Sequence, residues 1–247
     1  MENKVIFISG SAKRLGAAMA KHLHSLGYNL VLHCRQSTEQ AEALATNLNT
    51  LRSNSAKVVS ADLCDMGNLA NLAKQIVACF GRLDGLINNA SSFYPTPMGQ
   101  IRLEDWQQLV GSNLQAPLFL SQYLVPYLRA QGGVIINMVD IHAEKPLYEH
   151  SVYCLAKAGL VSLTYSMAVE LAPEIRVNGI APGAILWPEH ALESGEKQQV
   201  INQIPLKHLG SEQDIAQAVA FLLDAPYITG QILKVDGGRS LHGSGKV

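Results

Sequence analysis

The amino-acid sequence predicts an α/β protein built on a mainly parallel, doubly wound sheet of about seven strands flanked by helices. Three observations support this prediction. Short apolar runs alternate with helical patterns along the chain, a glycine-bearing turn separates the first strand from the first helix, and polar residues follow several predicted strands. The sequence shows no linker, repeat or low-complexity tract, so we expect residues 1–247 to form a single domain.

Composition excludes several classes of function. With 247 residues, 48% of them hydrophobic and 16% charged, the chain can bury a large core. Its formal net charge of -1 favours neither nucleic acid nor a membrane surface. The four cysteines lack C-x-x-C spacing, which indicates reduced thiols and predicts no metal site. No signal peptide precedes the first apolar run and no such run reaches about 18 residues, so we expect a cytoplasmic protein without a membrane span.

The first elements form a β–α–β unit. Val5–Ile8 is a predicted buried strand, and apolar side chains at helical spacing continue from the turn as a helix to about Leu26. Gly27 ends this helix, and the second strand covers residues 28–34.

The same alternation predicts the remaining elements. Helices are predicted over residues 38–52, 67–80, 103–129, 151–171 and, from a capping box at Ser211, to residue 223. Strands are predicted at residues 57–60, 86–87, 134–139, 176–180 and 232–235. We expect Pro117 to bend the long helix at 103–129, and residues 187–209 to be irregular and to form a substrate lid.

The turn after the first strand has the spacing of a phosphate-binding loop. Such a loop brings backbone N–H groups and a helix N-terminus against a pyrophosphate, although glycines also serve ordinary turns. Its position between the first strand and the first helix favours a dinucleotide site in a Rossmann-like fold. The turn residues are Gly10, Lys13, Arg14, Leu15 and Gly16.

The end of the second strand predicts the type of cofactor. A dinucleotide without a 2′-phosphate usually meets an acidic side chain about 20 residues after the glycine motif. Here no acid lies between Gly27 and Glu39, and the strand end carries His33, Arg35 and Ser37. The Arg35 guanidinium and the two cations of the turn suit a phosphate dianion, so we interpret the cofactor as NADPH. The alternative is that Arg35 is only a surface charge.

Two residues after the third strand, Asp62 and Leu63, are candidates for holding the adenine, because they pair an acid with an apolar side chain.

The candidate catalytic residues surround the predicted helix at 151–171. Tyr153 and Lys157 are four residues apart, which places both side chains on one helix face. A cation beside a phenol favours the phenolate, so the pair can serve as an acid at neutral pH. Asp140 lies thirteen residues before Tyr153, at a strand end where α/β sheets present their chemistry. The alternative for Tyr153 and Lys157 is a solvated helix face. Asn113, in the predicted helix at 103–129, is either a polar residue bent into the active site or an ordinary amide in a packed helix.

Together these residues resemble the short-chain dehydrogenase/reductase family, over nearly the whole chain. The matching motifs are Gly10-x3-Arg14-x-Gly16, Asn88-Asn89-Ala90, Asn113, Tyr153-x3-Lys157 and Pro182-Gly183, in that order. The resemblance implies cofactor-binding roles for Asn89, Ala90, Tyr153, Lys157, Pro182 and Gly183.

One departure narrows the resemblance. The family usually has a serine thirteen residues before the tyrosine, and this chain has Asp140. A serine hydroxyl donates to a substrate carbonyl, whereas an ionised carboxylate does not. With Asp140 at this position, the chain is similar to the pteridine reductases, which reduce pterins and often dihydrofolate-type substrates with NADPH. The matching segments are residues 12–16, 88–97, 137–140 and 227–230.

The pteridine reductase resemblance implies catalytic roles for four residues. Tyr153 delivers protons and is oriented by Asp140. Lys157 holds the nicotinamide ribose and lowers the pKa of Tyr153, and Asn113 supports Lys157 through water. The alternative for Asp140 is a purely structural carboxylate.

The same resemblance implies substrate-binding roles, which Asp140 and Tyr153 share. Arg14 meets the cofactor phosphate and the pterin edge, and Ser91 hydrogen-bonds the pterin. Phe93 stacks on one face, because a planar aromatic ligand suits such a ring; the alternative is plain packing. Trp187 and His190 are either lid residues that line the pocket or packing residues.

Two other functions stay open. One is a generic carbonyl or 3-oxoacyl-thioester reductase of the same family, and the other is a dinucleotide-binding regulator without turnover. The family also implies a homotetramer in which residues 238–243 reach a neighbouring subunit. We assign no tail residue to the site and expect residues 243–246 to be loose.

Overall fold

Seven strands form one sheet in the computed structural model, which describes residues 3–187 and 194–241. The strands are Val5–Ile8 (β1), Asn29–Cys34 (β2), Ala56–Ser60 (β3), Gly85–Asn88 (β4), Val134–Met138 (β5), Arg176–Pro182 (β6) and Ile232–Val235 (β7). All neighbouring pairs are parallel, and the order across the sheet is β3-β2-β1-β4-β5-β6-β7. The predicted α/β, Rossmann-like fold with a doubly wound parallel sheet is therefore confirmed.

Helices cover both faces of this sheet. Within the described residues they are Arg14–Ser25 (α1), Thr38–Leu51 (α2), Leu69–Ala78 (α3), Leu103–Val110 (α4), Ala116–Arg129 (α5), Ser151–Glu170 (α6), Ser194–Asn202 (α7) and Glu212–Asp224 (α8). One hydrophobic core joins α1, α2 and α8 to the sheet, and a second core on the opposite face joins α3, α5 and α6. Strand residues alternate between these two cores, as the two-residue period of a strand requires.

Strand β1 shows why the central strands are continuous apolar runs. Ile6 and Ile8 belong to one core, whereas Val5 and Phe7 belong to the other. Each fully buried side chain of this type contributes roughly 1.5–3 kcal/mol relative to an exposed one. Strand β1 therefore has an apolar side chain at each of its four positions, and its first polar groups follow in the loop.

The predicted long helix at 103–129 is interrupted earlier than expected. A π-helical segment, Gly111–Gln115, separates α4 from α5, and Pro117 lies in the first turn of α5. The helical backbone runs without a break from the π-helical segment into α5, and a bend at Pro117 stays a prediction. The wider π turn contains Asn113, whose side chain is buried.

The prediction of an irregular segment at 187–209 is wrong in part. Residues Ser194–Asn202 form α7, while residues 188–193 lie outside the described structure. The α7 sequence is mostly polar and lacks an apolar side chain every three or four residues. Helical periodicity is therefore absent from the sequence although the backbone is helical.

Helix α6 is long and apolar enough, by length and composition, to cross a membrane. Half of its apolar stretch is buried inside the fold, where α6 packs against β6 and the turn after β5. Its composition is therefore explained by packing in the core.

Candidate active site

A cavity of about 530 Å³ lies at the carboxyl ends of the strands, where open α/β sheets bind their ligands. Most of the predicted site residues line it together: Gly10, Lys13, Arg14, Leu15, Gly16, His33, Arg35, Asp62, Leu63, Asn89, Ala90, Ser91, Asp140, Tyr153, Lys157, Pro182 and Gly183. Four others do not line it: Ser37, Phe93, Asn113 and Trp187.

The glycine turn packs its backbone tightly against the start of α1, and together they form the cradle at this end of the cavity. A Cβ atom added to Gly16 would lie 2.3 Å from the carbonyl oxygen of Gly10 and 2.7 Å from the Cα atom of Ser11. Gly10 has φ +64°, in the left-handed region that favours glycine. A turn without side chains at these two positions allows a pyrophosphate to approach the N-terminus of α1 closely.

Contacts with the two residues that follow β4 hold this turn in place. The Ser9 hydroxyl oxygen accepts from the backbone N–H groups of Asn89 and Ala90, at 2.8 and 2.9 Å. The Asn89 side-chain amide donates to the carbonyl oxygens of Ser9 and Gly10, at 2.9 and 3.0 Å. The ends of β1 and β4 are thus one unit, and Asn89 supports the cradle from behind.

His33 fixes the turn from the β2 side. The Gly10 N–H donates to Nδ1 of His33 at 3.1 Å, so Nε2 carries the ring hydrogen and donates to the Ala61 carbonyl oxygen, also at 3.1 Å. Burial lowers the pKa of His33 to about 4, and only 2% of the residue is exposed. Because both ring nitrogens are occupied within the protein, His33 shapes the cofactor cavity by positioning Gly10.

The cationic end of the cavity is open to solvent. Nη1 of Arg35 lies 3.8 Å from Oδ2 of Asp62, and both side chains are about half exposed, at 47% and 48%. Such a pair contributes little to stability, so the guanidinium can turn toward a phosphate. Arg14 has φ 51°, and its Nη2 donates to the Trp187 carbonyl oxygen at 3.4 Å. Ser37 precedes α2 and lies outside the lining.

The other end of the cavity contains a phenol–carboxylate contact. Tyr153 Oη donates to Oδ2 of Asp140 at 2.7 Å, while Oδ1 of Asp140 accepts from the His142 backbone N–H at 2.8 Å. Burial and the Asp140 charge raise the pKa of Tyr153 well above its usual range. The phenol is therefore protonated at neutral pH and is aimed at Asp140.

Lys157 lies beside the Tyr153 ring, and the expectation that its charge lowers the pKa of Tyr153 stays a prediction. Its Nζ lies 5.7 Å from the centroid of the Tyr153 ring and donates to the Met138 carbonyl oxygen at 2.8 Å. Burial lowers the pKa of Lys157 to about 8, and the Asp140 charge opposes that effect. Desolvation of the phenol, and after it the Asp140 charge, raises the pKa of Tyr153.

Asn113 anchors the loop that follows β4. Its side-chain nitrogen donates to the carbonyl oxygens of Ser92 and Leu109, both at 2.9 Å, and its Oδ1 accepts from the Ser91 hydroxyl at 2.7 Å. These contacts orient Ser91 within the cavity lining. Support of Lys157 through water stays a prediction.

Phe93 lies at the mouth of the site. Its ring stacks on His150 at a centroid distance of 4.7 Å and an interplanar angle of 20°, and meets Tyr153 edge-on at 4.8 Å. Phe93 remains 53% exposed. The Trp187 ring has Lys197 Nζ at 5.8 Å from its centroid. His190, the other predicted lid residue, lies outside the described residues.

Several cavity residues escaped sequence reasoning: Cys64, Ser92, Gln108, Ser112, Met138, Val139, Ile185 and Leu186 line the cavity, and His150 stacks on Phe93. Ser92 adjoins Ser91, and Ile185 closely follows Gly183, so proximity to a predicted residue was the available signal. Gln108 and Ser112 carry no local signal, because their helix faces are set by packing. Residues 3–187 and 194–241 contain no group of three or more His, Cys, Asp or Glu side chains suited to a metal ion.

Comparison with known proteins decides the family. The family described as enoyl-(acyl carrier protein) reductase matches residues 10–240. The chain belongs to the short-chain dehydrogenase/reductase family. Members of this family are oxidoreductases that use a nicotinamide cofactor.

The relatives of this short-chain dehydrogenase/reductase are named for different substrates. Pteridine reductase 1 of Leishmania tarentolae is 36% identical over 279 residues, covering 96% of each chain. The 3-oxoacyl-acyl-carrier-protein reductase FabG of Staphylococcus epidermidis is 32% identical, covering 96% of this chain and 98% of its own. The 3beta-hydroxysteroid dehydrogenase 1 of Eggerthella lenta is also 32% identical, covering 98% and 95%. These identities are comparable, so the substrate has to be inferred from the site.

Proposed function

We propose that this protein is an NADPH-dependent pteridine reductase. Its substrates would be pterins of the dihydrobiopterin or dihydromonapterin type, and dihydrofolate, which it would reduce to the tetrahydro form. The observation that carries the proposal is the hydrogen bond from Tyr153 to Asp140 in the cavity. It places a carboxylate where reduction of a ketone calls for a hydroxyl donor, and a carboxylate cannot polarise a carbonyl in that way.

The residues present suit the delivery of one proton. When bound, the nicotinamide cofactor supplies the hydride. Reducing a C=N bond also needs a proton at the nitrogen, which the protein has to supply. Tyr153 retains its proton at neutral pH because burial and Asp140 raise its pKa. Asp140 directs the hydroxyl by accepting its hydrogen bond, and the phenol regains its proton from solvent after the reaction. Lys157 places a cation on the same helix face.

A flat, polar-edged substrate also suits the mouth of the site. Phe93 has ring surface exposed and contacts Tyr153 edge-on, so a pterin stacked on it would lie beside the phenol. Ser91 and Arg14 supply polar groups around the same cavity. Trp187 is proposed as a lid residue, because its backbone already contacts Arg14.

The cationic end of the cavity supports NADPH as the cofactor. Arg35, Lys13 and Arg14 line the cavity and can pair with a 2′-phosphate. Asp62 and Leu63 would hold the adenine, and the glycine cradle would receive the pyrophosphate. Asn89, Ala90, Pro182 and Gly183 complete the proposed cofactor wall.

A 3-oxoacyl-thioester reductase is the alternative, because FabG proteins match this chain at 32–33% identity. That activity needs a hydroxyl donor beside the carbonyl, and Asp140 argues against it. The two proposals therefore differ in the chemistry of one residue.

We propose that the protein assembles as a homotetramer. We also propose that it is cytoplasmic and has no nucleic acid or membrane partner. Helix α6 exposes Leu155, Tyr165 and Val169, the last with 82% of its surface accessible. Their spacing of ten and four residues places them on one stripe, which a second copy of the chain could bury. Light scattering of the purified protein measures the assembly size directly.

The deciding experiment follows NADPH oxidation by purified protein at 340 nm. Dihydrobiopterin, dihydrofolate and a β-keto thioester are offered in parallel. Turnover with either of the first two supports the proposal. Turnover with the thioester alone would replace it with the alternative, and NADPH binding without any turnover would indicate a regulator.

A further inference from the structure

Three aromatic rings meet at the mouth of the active site. Phe93, in the loop that follows β4, stacks on the His150 imidazole, with 4.7 Å between the ring centroids and 20° between the ring planes. The Phe93 ring also meets the Tyr153 ring nearly at a right angle, at 4.8 Å and 80°. His150 directly precedes α6 and Tyr153 lies three residues later, so both side chains are on the same side of the helix. Phe93 therefore occupies a corner formed by two rings of one helical turn.

The plane of the His150 ring is fixed by hydrogen bonds to residues nearby in the chain. Its Nδ1 atom lies 2.7 Å from the Tyr148 carbonyl oxygen, and because a carbonyl only accepts, Nδ1 carries the hydrogen and donates. The His150 backbone N–H donates to the Leu147 carbonyl oxygen at 3.2 Å, and the His150 carbonyl oxygen accepts from the Cys154 N–H at 2.9 Å. The side chain makes no capping hydrogen bond to α6. The imidazole is therefore held in position without a role in starting the helix.

A strained residue beside His150 ties two loops of the site together. Glu149 has φ 59°, in the left-handed region that residues with a Cβ atom rarely adopt. Its carbonyl oxygen accepts from the backbone N–H of Thr96, three residues after Phe93. Such strain persists only where the surrounding structure imposes it, and it concentrates at ligand-binding and active sites. The strained turn thus keeps the His150 ring next to the loop that carries Phe93.

The backbone before Phe93 is held as well. The Ser92 carbonyl oxygen accepts from the Asn113 side chain at 2.9 Å, and the Ser92 N–H donates to the Ser112 hydroxyl oxygen at 3.3 Å. The Phe93 residue is nevertheless 53% exposed, although His150 covers one face of its ring. The exposed ring surface therefore belongs to the opposite face and the edges, so a flat ligand can stack on one face only.

We propose that His150 is a positioning residue for the substrate. By stacking on one face of Phe93, it holds that ring at the angle at which a planar heteroaromatic substrate, bound on the open face, lies beside the Tyr153 hydroxyl. A ring held in one orientation before binding loses less conformational freedom when the substrate binds, so the stack improves affinity for the substrate. This effect rests on the proposed function, whereas the arrangement of the three rings is a property of the protein without ligand.

The first test is NMR of the protein without cofactor or substrate, with ¹³C-labelled phenylalanine. The chain has five phenylalanines, and the Phe93 ring signals are assigned by their loss in Phe93→Leu. His150→Asn keeps a side-chain N–H group that can donate to the Tyr148 carbonyl oxygen but removes the ring. The ring protons of Phe93 should then move downfield, because a ring stacked on them shields them. An unmoved Phe93 signal in His150→Asn overturns the proposal.

Three further variants complete this test. His150→Tyr replaces the imidazole by another flat ring and should return the Phe93 signals toward their wild-type positions. His208→Asn is the matched control, because His208 is exposed and its Nδ1 also bonds to a neighbouring carbonyl oxygen, that of Leu209, at 2.8 Å. That control should leave the Phe93 signals unchanged. If His150→Asn does not fold, His150→Leu, whose side chain is bulky but has no flat face, replaces it under the same criterion.

The kinetic readout separates positioning of the substrate from a purely structural role. With dihydrobiopterin, His150→Asn should raise KM about three- to tenfold, the effect expected for loss of an aromatic pair, while KM for NADPH stays unchanged. His150→Tyr should restore most of the wild-type KM. A mere loss of folded protein would lower kcat and leave both KM values as they are, and that result overturns the proposal.

Failure of the proposed function gives a different result. A wild-type protein that reduces no pterin refutes that function, while the Phe93 signals of His150→Asn still decide whether His150 holds the ring.

Discussion

Tyr153 and Asp140 form the contact on which the proposed chemistry depends, with the phenol donating to the carboxylate at 2.7 Å. Asp140 follows β5 and Tyr153 is the third residue of α6, so the sheet order brings them together at the carboxyl edge. The contact has an electrostatic consequence as well. The carboxylate disfavours a phenolate beside it, which keeps the proton on Tyr153.

Asp140→Ala removes the acceptor of this hydrogen bond. We expect pterin turnover to fall by about 100-fold or more, because general acid–base groups contribute roughly that much to a rate. NADPH binding, measured by fluorescence titration, should be retained. Glu42→Ala, an exposed carboxylate on α2, is the matched control. Wild-type turnover in Asp140→Ala would exclude Asp140 from the reaction.

Arg35→Asp places a negative charge where the 2′-phosphate is expected. The ratio of kcat/KM for NADPH to that for NADH should fall by about tenfold or more, since a hydrogen bond to a charged group contributes roughly 1.5–3 kcal/mol. Lys74→Asp introduces the same charge change at an exposed site of α3 and should preserve the ratio. An unaltered ratio in Arg35→Asp would show that another residue anchors the phosphate.

Gly16→Ala adds a methyl group inside the tightly packed glycine turn. The new Cβ atom would lie 2.3 Å from the Gly10 carbonyl oxygen, so the turn has to shift. We expect the Kd for NADPH to increase at least about tenfold, because the backbone N–H groups lose their alignment. Gly67→Ala, where the added atom meets Asp65 Oδ1 at an ordinary 3.5 Å, is the control. Equal affinities in both variants would contradict the role of the turn.

His33 makes the stability of the fold depend on pH. Its pKa is lowered to about 4 by burial, so unfolding takes up a proton between that value and the ordinary value of 6.5. Stability is therefore lost as the pH falls through this window, by about 2 kcal/mol between pH 7 and pH 4.5. Urea unfolding at the two pH values should show a smaller loss in His33→Gln than in wild type. His208→Gln removes an exposed histidine and controls for the substitution, and an equal loss in all three proteins would contradict the assignment.

Lys157 should set the alkaline limit of activity. Burial lowers its pKa to about 8, so the cation is lost as the pH rises through that value. The quantity to measure is kcat/KM for NADPH, because it reports ionisations of the protein before the cofactor binds. We expect it to fall above about pH 8. A flat profile up to pH 10 would show that the charge of Lys157 is not needed for productive binding.

Periodicity in the sequence predicted most of the fold. The β1 and β7 bounds agree with the structure, and the other strands and most helices begin or end within a few residues of their predicted limits. The failures occurred where local pattern and backbone disagree. Helix α7 lacks an apolar repeat, and the π segment before Pro117 has no signature that distinguishes it from an α-helix.

The sequence by itself determined the α/β architecture, the glycine turn and the residues that follow each strand, because those depend on spacing along the chain. Only the tertiary structure decided which of them meet. Asn113 anchors Ser91, His150 stacks on Phe93, and Tyr153 donates to Asp140. The tertiary structure also sets the pKa of Tyr153, which is raised by burial and by a carboxylate on another element. Such contacts join residues distant in sequence, and their distances are set by sheet order and packing, which no local pattern encodes.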